Sequence, residues 1–497
     1  MIIAPARDII KDVKDVENGE NMNKYRRLLT DTFILGIGTF ASKVLVFLLM
    51  PLYTSCLSPG QFNTADLITQ TANLLMPLAC VGICDGLFRF TLDSGAHQPS
   101  VLKTGLAVLG GASAVFLGLS PLLFKIDYFT GYAWLIVVYV LAANIHLALA
   151  QYVRARGRVK LFAIQGIINT ALVIALNIIF LLVLDMGIEG YVLSVVIADF
   201  AVSIFIIISA RLGRDIWEGK FSGKLFGSMV KYSLPMIPTT VFWWITTASG
   251  RYIVTYFTGG EAAGLYAAAY KIPTLLNMVS TVFLEAWQFS AVKDAADKEK
   301  SKFFGRIFSY FTSLMFAAGG ALILFNRIFV ALLFDESYSE SWVLIPVLTV
   351  AAVFSALTAF MSSVYMVKKK AGLSFLTSMA GALTNLALNF ALIPLIGAQG
   401  AAIATFAGYL LVFIIRAASV QKYIKFFVNY LRLTVNTLLL IGMCVMSISE
   451  VRLWWLWCGI LALLLLLINI RTLLRCLAGI FKQFFGKKKA GDSVYSE

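Results

Sequence analysis

Residues 231–290 read KYSLPMIPTTVFWWITTASGRYIVTYFTGG followed by EAAGLYAAAYKIPTLLNMVSTVFLEAWQFS. The stretch holds two apolar runs, each long enough to cross a bilayer, joined by a turn with two glycines. Prolines and charged residues, among them Arg251, Lys271 and Glu285, interrupt both runs. Lipid-facing helices tolerate such residues badly, because charge in hydrocarbon is costly and proline leaves backbone carbonyls without partners. The two helices are therefore predicted to line a water-filled cavity that holds the functional site.

The composition of the whole chain is that of a polytopic membrane protein. Of its 497 residues, 60% are hydrophobic and 13% are charged, whereas soluble proteins carry about 25% charged residues. The net charge of +15 lies mostly in short loops, as membrane topology requires, so no nucleic-acid partner is expected. The six cysteines form no CxxC pair and fall mostly in apolar runs. We therefore predict no metal site, no disulfide framework and no cofactor.

Apolar runs of about 20 residues predict an all-α protein with about fourteen membrane-spanning helices. The predicted spans are 30–54, 63–88, 101–124, 128–152, 161–184, 188–210, 229–256, 262–289, 303–325, 340–366, 372–394, 398–420, 430–449 and 452–475. A polar leader precedes the first span, and Met22 within it is a candidate start of the natural protein.

The loops between these spans alternate in charge. Lysine and arginine concentrate at 154–160, 211–224, 293–306, 368–370 and 422–432, whereas the opposite set of loops has few basic residues and several acids. By the positive-inside rule, the basic loops and both termini are predicted to be cytoplasmic. A prokaryotic cell (inner) membrane is the expected location.

A faint internal repeat predicts two lobes of six helices each. ALN at 175–177 and GIEG at 187–190 recur as ALN at 387–389 and GAQG at 397–400, each copy after a basic loop. An even number of helices gives both units the same orientation, so the substrate is expected between them. The predicted domains are a cytoplasmic leader (1–27), an N-lobe (28–210), a cytoplasmic linker (211–228), a C-lobe (229–420), two added helices (421–475) and a basic cytoplasmic tail (476–497).

Three basic residues, Lys43, Arg251 and Lys271, lie well inside predicted spans. Charge-assisted hydrogen bonds from such groups suit an anion, most naturally a phosphate or pyrophosphate. The alternative is structural: these cations pair with intramembrane acids such as Asp66 or Glu285, and Arg251 reaches out to the interface.

Four acids are candidates for ion coupling: Asp66, Asp85, Asp199 and Glu285. Asp85 and Glu285 end their spans near the predicted cytoplasmic side, where a salt bridge with Arg89 or Lys293, one or two turns away, is the favoured alternative. Asp199 stands alone in the middle of its span, and the sequence does not identify its partner.

Among the aromatic residues of the same stretch, Trp243 and Tyr270 are candidates for substrate contact. Aromatic faces stack on sugar rings and attract cations. Tyr256 and Tyr252 are instead predicted to belong to an interfacial belt. The sequence has no Walker, GxSxG or HExxH motif, so we predict that the protein is not an enzyme and hydrolyses no ATP.

The two lobes, the proline-broken helix at 229–256, the LYAAAYKIP segment at 265–273 and the basic loop at 293–306 together resemble the polysaccharide exporter branch of the MOP superfamily. This branch includes the Wzx-type flippases for lipid-linked oligosaccharides. The resemblance implies alternating access, in which a cavity open to the cytoplasm takes the pyrophosphate-sugar head of a polyprenyl lipid and releases it outside. Such cavities are typically basic. Their cations would be expected on the first, seventh and eighth predicted spans, which hold Lys43, Arg251 and Lys271.

Two relatives within the superfamily are alternatives: a lipid II flippase and a cation-coupled multidrug (MATE) antiporter. MATE antiporters tend to place a cation-binding acid within helix 1, whereas helix 1 here offers only Asp31, at its cytoplasmic end. A third alternative is a membrane scaffold for polysaccharide assembly enzymes, although a scaffold has no need of charges at mid-bilayer. The expected partners are a lipid-linked oligosaccharide, membrane lipids and those assembly enzymes.

Overall fold

The structure is a computed structural model that describes residues 44–45, 47–93, 97–126, 129, 131–293, 297–368, 370–449 and 451–485. Three residues singled out in the sequence are not covered: Lys43 and Asp31 lie outside these ranges, and the side chain of Glu285 is not described.

Within those ranges every regular element is a helix. The α-helices are α1 (Met50–Cys56), α2 (Pro59–Ala79), α3 (Ile83–Thr91), α4 (Gln98–Leu119), α5 (Ala133–Ala155), α6 (Val159–Asn177), α7 (Gly187–Ser209), α8 (Leu212–Glu218), α9 (Gly223–Ser233), α10 (Ile237–Lys271), α11 (Thr274–Lys293), α12 (Asp297–Leu324), α13 (Asn326–Leu333), α14 (Ile345–Val367), α15 (Ala371–Ile396), α16 (Ala398–Val420), α17 (Tyr430–Ile448) and α18 (Trp454–Phe485). Short 3₁₀ segments follow α4, α9 and α13, and a π-helical turn, Ile178–Val183, extends α6.

The helices of the described residues confirm the polytopic architecture. Eleven helical segments are long and apolar enough to cross a membrane, and α2 with α3, bent by 56°, make a twelfth. One of the eleven, Gly223–Leu284, is 62 residues long and contains two of the predicted spans. The first predicted span, 30–54, lies mostly outside the described residues. The observed segments therefore agree with about fourteen spans.

The helices form two lobes and an appended pair. Helices α2 to α7 pack on one another, and α10 to α16 form the second packed group. Helices α17 and α18 pack together against α12. Helices α2 and α10 also pack against each other, so this crossing joins the two lobes. The predicted lobes and C-terminal helices are thus present, whereas the 211–228 linker itself forms α8 and the start of α9.

Two glycines set the path of α10 at this crossing. At Gly259 the backbone has φ 86° and ψ 172°, a conformation that is essentially restricted to glycine, so α10 is kinked at this residue. A Cβ atom on Gly264 would lie 1.9 Å from the carbonyl oxygen of Pro59. Only glycine therefore lets the second half of α10 approach the start of α2.

Candidate substrate cavity

A cavity of about 760 Å³ lies between the two lobes. One wall comes from α2 and α5 of the N-lobe, and the other from α10, α11, α14 and α16 of the C-lobe. Its lining begins near Gly82, Asp85 and Thr240, on the side of the basic loops, and reaches Arg251 and Tyr270. From Thr240 to Arg251 this corresponds to roughly 16 Å along α10, at about 1.5 Å per residue.

The far end of the cavity is built around Asp66, whose side chain is 2% exposed. One of its carboxylate oxygens lies 2.8 Å from Nε of Arg251, and the other lies 3.2 Å from Nζ of Lys271. The guanidinium of Arg251 also stacks 4.6 Å from the ring centre of Tyr270. Buried charges need such partners, because desolvation otherwise makes them very costly. Two cations share one carboxylate, so the cluster carries one net positive charge.

Polar contacts along the α2–α10 crossing close the lobes beside this cluster. The indole Nε1 of Trp244 donates to the carbonyl oxygen of Gln70 over 2.8 Å, and the hydroxyls of Tyr252 and Thr71 lie 2.7 Å apart. Nearer the start of α2, the amide of Asn63 donates to Thr255 over 3.1 Å. The lobes are therefore in contact at the end away from the basic loops.

The structure places four of the predicted site residues in the cavity lining: Arg251, Tyr270, Trp243 and Asp85. Lys271 lies next to them through its contact with Asp66. Arg251 and Lys271 therefore both pair with Asp66, as the structural alternative predicted. Arg251 is 5% exposed and does not reach out to the interface.

Two other predicted placements are wrong. Arg89 pairs with Asp93, one turn further along the chain, instead of with Asp85. Tyr252 belongs to the lobe crossing through Thr71 and not to an interfacial belt. Tyr256, by contrast, is 82% exposed, as a belt residue should be.

Asp199 lies away from the cavity lining, in a polar cluster inside the N-lobe. Its carboxylate is 2.8 Å from Nδ1 of His146 and accepts a hydrogen bond of 2.9 Å from the amide of Asn169. The other ring nitrogen of His146 lies 2.7 Å from Oε1 of Gln165. The cluster joins α5, α6 and α7, and its partners were out of reach of the sequence because they lie 30 to 53 positions from Asp199.

Sequence reasoning missed Arg416, a further basic residue inside a predicted span. Its side chain is buried in the C-lobe, and it lines a smaller cavity next to the first. The position was missed because it is only four residues from the end of α16, where a basic residue ordinarily serves as a topology signal.

Residues 28–289, more than half of the chain, match the family model described as polysaccharide biosynthesis protein. The chain belongs to this polysaccharide biosynthesis family. A curated relative, multidrug and toxin extrusion protein 1 of Danio rerio, is 22% identical over an alignment of 301 residues that covers 53% of this chain and 48% of the relative. The chain thus spans about half the length of the curated relative it matches.

Two solved structures of other membrane proteins share the fold of this chain. The lipid II flippase MurJ in an inward closed conformation matches with a TM-score of 0.67 and 16% identity, over 90% of this chain and 100% of that one. An inward-facing multidrug resistance MATE transporter of the MOP superfamily matches with a TM-score of 0.63 and 13% identity, over 77% and 95% of the two chains. The chain is therefore a multi-span membrane protein with the fold of these two structures.

Proposed function

We propose that the protein is a flippase that moves an anionic polyprenyl-(pyro)phosphate-linked oligosaccharide across the cell's cytoplasmic membrane by alternating access. The observation that carries the proposal is the cavity between the lobes, which ends at Arg251 with Lys271 beside it. Asp66 balances one of these two charges, so one positive charge is left for a phosphate group. The basic loops and both termini would then face the cytoplasm, and the cavity would receive its substrate from that side.

The rest of the lining suits the sugar part of such a substrate. Side-chain amides of Gln70, Asn73 and Asn277 can both donate and accept hydrogen bonds, as sugar hydroxyls require. Trp243 and Tyr409 offer aromatic faces on which sugar rings stack. The wall therefore combines a cationic end with a polar and aromatic middle, which matches a charged lipid head followed by a glycan.

Ion coupling is assigned to Asp199 among the four predicted acids. This carboxylate is buried and contacts His146 and Asn169, and no lysine or arginine among the described side chains pairs with it. Asp66 is a weaker candidate because two cations hold it in its charged form. A change in this cluster would alter the packing of α6 and α7 against α5, which contributes Asn144 and Leu147 to the cavity wall.

A lipid II flippase is the second candidate, because the MurJ fold covers 90% of this chain and its substrate shares a polyprenyl pyrophosphate. The multidrug antiporter is less favoured, since Asp66, an intramembrane acid that could bind a cationic drug, is occupied by Arg251 and Lys271. Each of these candidates can be distinguished from the leading proposal by the molecule that the protein transports.

The decisive experiment reconstitutes the purified protein in liposomes and measures flipping of three labelled substrates: a polyprenyl-pyrophosphate oligosaccharide, lipid II and a cationic dye. Wild type is compared with Lys43→Ala/Lys271→Ala and with Lys125→Ala, a matched control at an exposed lysine. Loss of charge-assisted hydrogen bonds is expected to slow oligosaccharide flipping by at least about tenfold in the double variant only. Equal flipping by the double variant would remove the cationic cavity from the mechanism, and transport of the dye alone would identify an antiporter.

A further inference from the structure

A second cavity, of about 320 Å³, branches from the first inside the C-lobe. The two cavities share five lining residues: Trp243, Leu284, Ser355, Ala359 and Tyr409. The side pocket therefore adjoins the main cavity.

The polar centre of the side pocket is Arg416 on α16, which is 5% exposed. Its guanidinium donates to the hydroxyl of Thr377 over 2.9 Å, to the carbonyl of Thr358 over 2.9 Å and to the hydroxyl of Ser378 over 2.8 Å. A fourth bond, of 3.2 Å, reaches the carbonyl of Ser374. These acceptors come from α14 and α15, so three helices fix the orientation of the guanidinium.

All four acceptors of Arg416 are uncharged, and no carboxylate among the described side chains pairs with it. The side chain thus differs from Arg251, which is balanced by Asp66. A guanidinium has five N–H groups, and the described contacts use four of them, which leaves one at Nη1. A buried charge without a counter-ion is costly. A side chain that only linked three helices would not need this charge, because a neutral side-chain amide also donates hydrogen bonds to carbonyls.

The hydroxyl groups around Arg416 complete an environment for an oxyanion. Ser355 and Ser362 line the side pocket together with Ser374 and Ser378. Serine hydroxyls can rotate to donate to an oxyanion that also accepts from a guanidinium. Arginine is the residue that binds carboxylate and phosphate groups with fixed geometry.

We propose that this side pocket, formed by Arg416 with Ser355, Ser362, Ser374 and Ser378, is a second oxyanion site, separate from the Asp66 cluster. It binds a phosphate or carboxylate group of the transported molecule. Two sources share this chemistry: the (pyro)phosphate of a lipid carrier and an acidic group on the glycan. The identity of the transported molecule rests on the proposed function, whereas binding of the oxyanion does not.

The test is calorimetric titration of the purified full-length protein in detergent with inorganic pyrophosphate, with glucuronate and with uncharged glucose. Wild type is compared with Arg416→Gln and with Lys271→Gln, which alters the other cationic site. Arg416→Gln is expected to weaken binding of one oxyanion at least tenfold while leaving glucose unchanged. A loss confined to glucuronate identifies the glycan as the source, and a loss of pyrophosphate binding identifies the carrier.

A second variant keeps the result interpretable if Arg416→Gln folds poorly. Ser378→Phe fills the side pocket but leaves three of the four contacts of Arg416, so it is expected to produce the same loss of oxyanion binding. If well-folded variants bind both oxyanions as wild type does, Arg416 is a helix connector only and the proposal is wrong. Because no flipping is measured, failure of the proposed function would leave these titrations unchanged.

Discussion

Replacing Asp66 by asparagine should open the lobe contact at the far end of the cavity. The substitution keeps the size of the side chain but leaves Arg251 and Lys271 without their shared counter-charge. Removing one partner of a buried ion pair costs about 3–5 kcal/mol. This cost falls on the conformation in which α2 and α10 are in contact, because an opened crossing exposes both cations to water. Since about 1.4 kcal/mol corresponds to a tenfold change, the ratio of open to closed protein should rise by roughly one hundred to several thousandfold.

The assay is labelling of a cysteine at the crossing by a membrane-impermeant maleimide. Asn63→Cys is introduced into a chain from which the native cysteines have been removed, since Asn63 is fully buried between the lobes. Labelling should be at least tenfold faster with Asp66→Asn than without it. Asp215→Asn is the matched control, because it removes a buried carboxylate whose ion pair with Arg156 lies away from the crossing. Equal labelling rates with and without Asp66→Asn, in folded protein, would refute the idea that this ion pair holds the lobes together.

The remaining predictions concern helix packing and ion coupling. Gly264→Ala should lower the free energy of unfolding of the purified protein by about 3 kcal/mol or more, because the new Cβ atom would collide with the backbone of Pro59. Gly111→Ala is the control: a Cβ there meets nothing within 4 Å, so stability should be unchanged or slightly higher. A stable Gly264→Ala protein would show that the crossing can relax. Asp199→Asn should abolish the response of flipping to an imposed proton gradient while flipping without a gradient continues; an undiminished response would exclude this carboxylate from coupling.

The membrane architecture could be predicted from the sequence because its physical signals are local. A span is a run of apolar residues, and the topology follows from basic residues in the adjoining loops. The cavity on α10 could be predicted for the same reason, since Arg251 and Lys271 stand out within apolar runs. Such local signals do not identify which distant residues become neighbours in the fold.

The unpredicted features all depend on contacts between residues distant in the chain. Asp66 meets Arg251 from 185 positions away, and nothing local indicates which of several acids pairs with which cation. The partner of Asp199 could not be predicted for the same reason, because His146 lies on another helix. The neutral surroundings of Arg416 depend on how α14, α15 and α16 pack, and no local sequence pattern indicates that packing.

The geometry of the Asp66 cluster links substrate binding to lobe opening under the proposed function. An anionic head group in the cavity would compete with Asp66 for Arg251 and Lys271, and these are the contacts that tie α2 to α10. A ligand shifts a conformational equilibrium only by the difference between its affinities for the two states. A phosphate group meets this condition, because it binds the two cations more strongly in the open state, in which the carboxylate of Asp66 has moved away from them. A neutral molecule in the same cavity has no group that can displace Asp66, so it would occupy the cavity without favouring the open state.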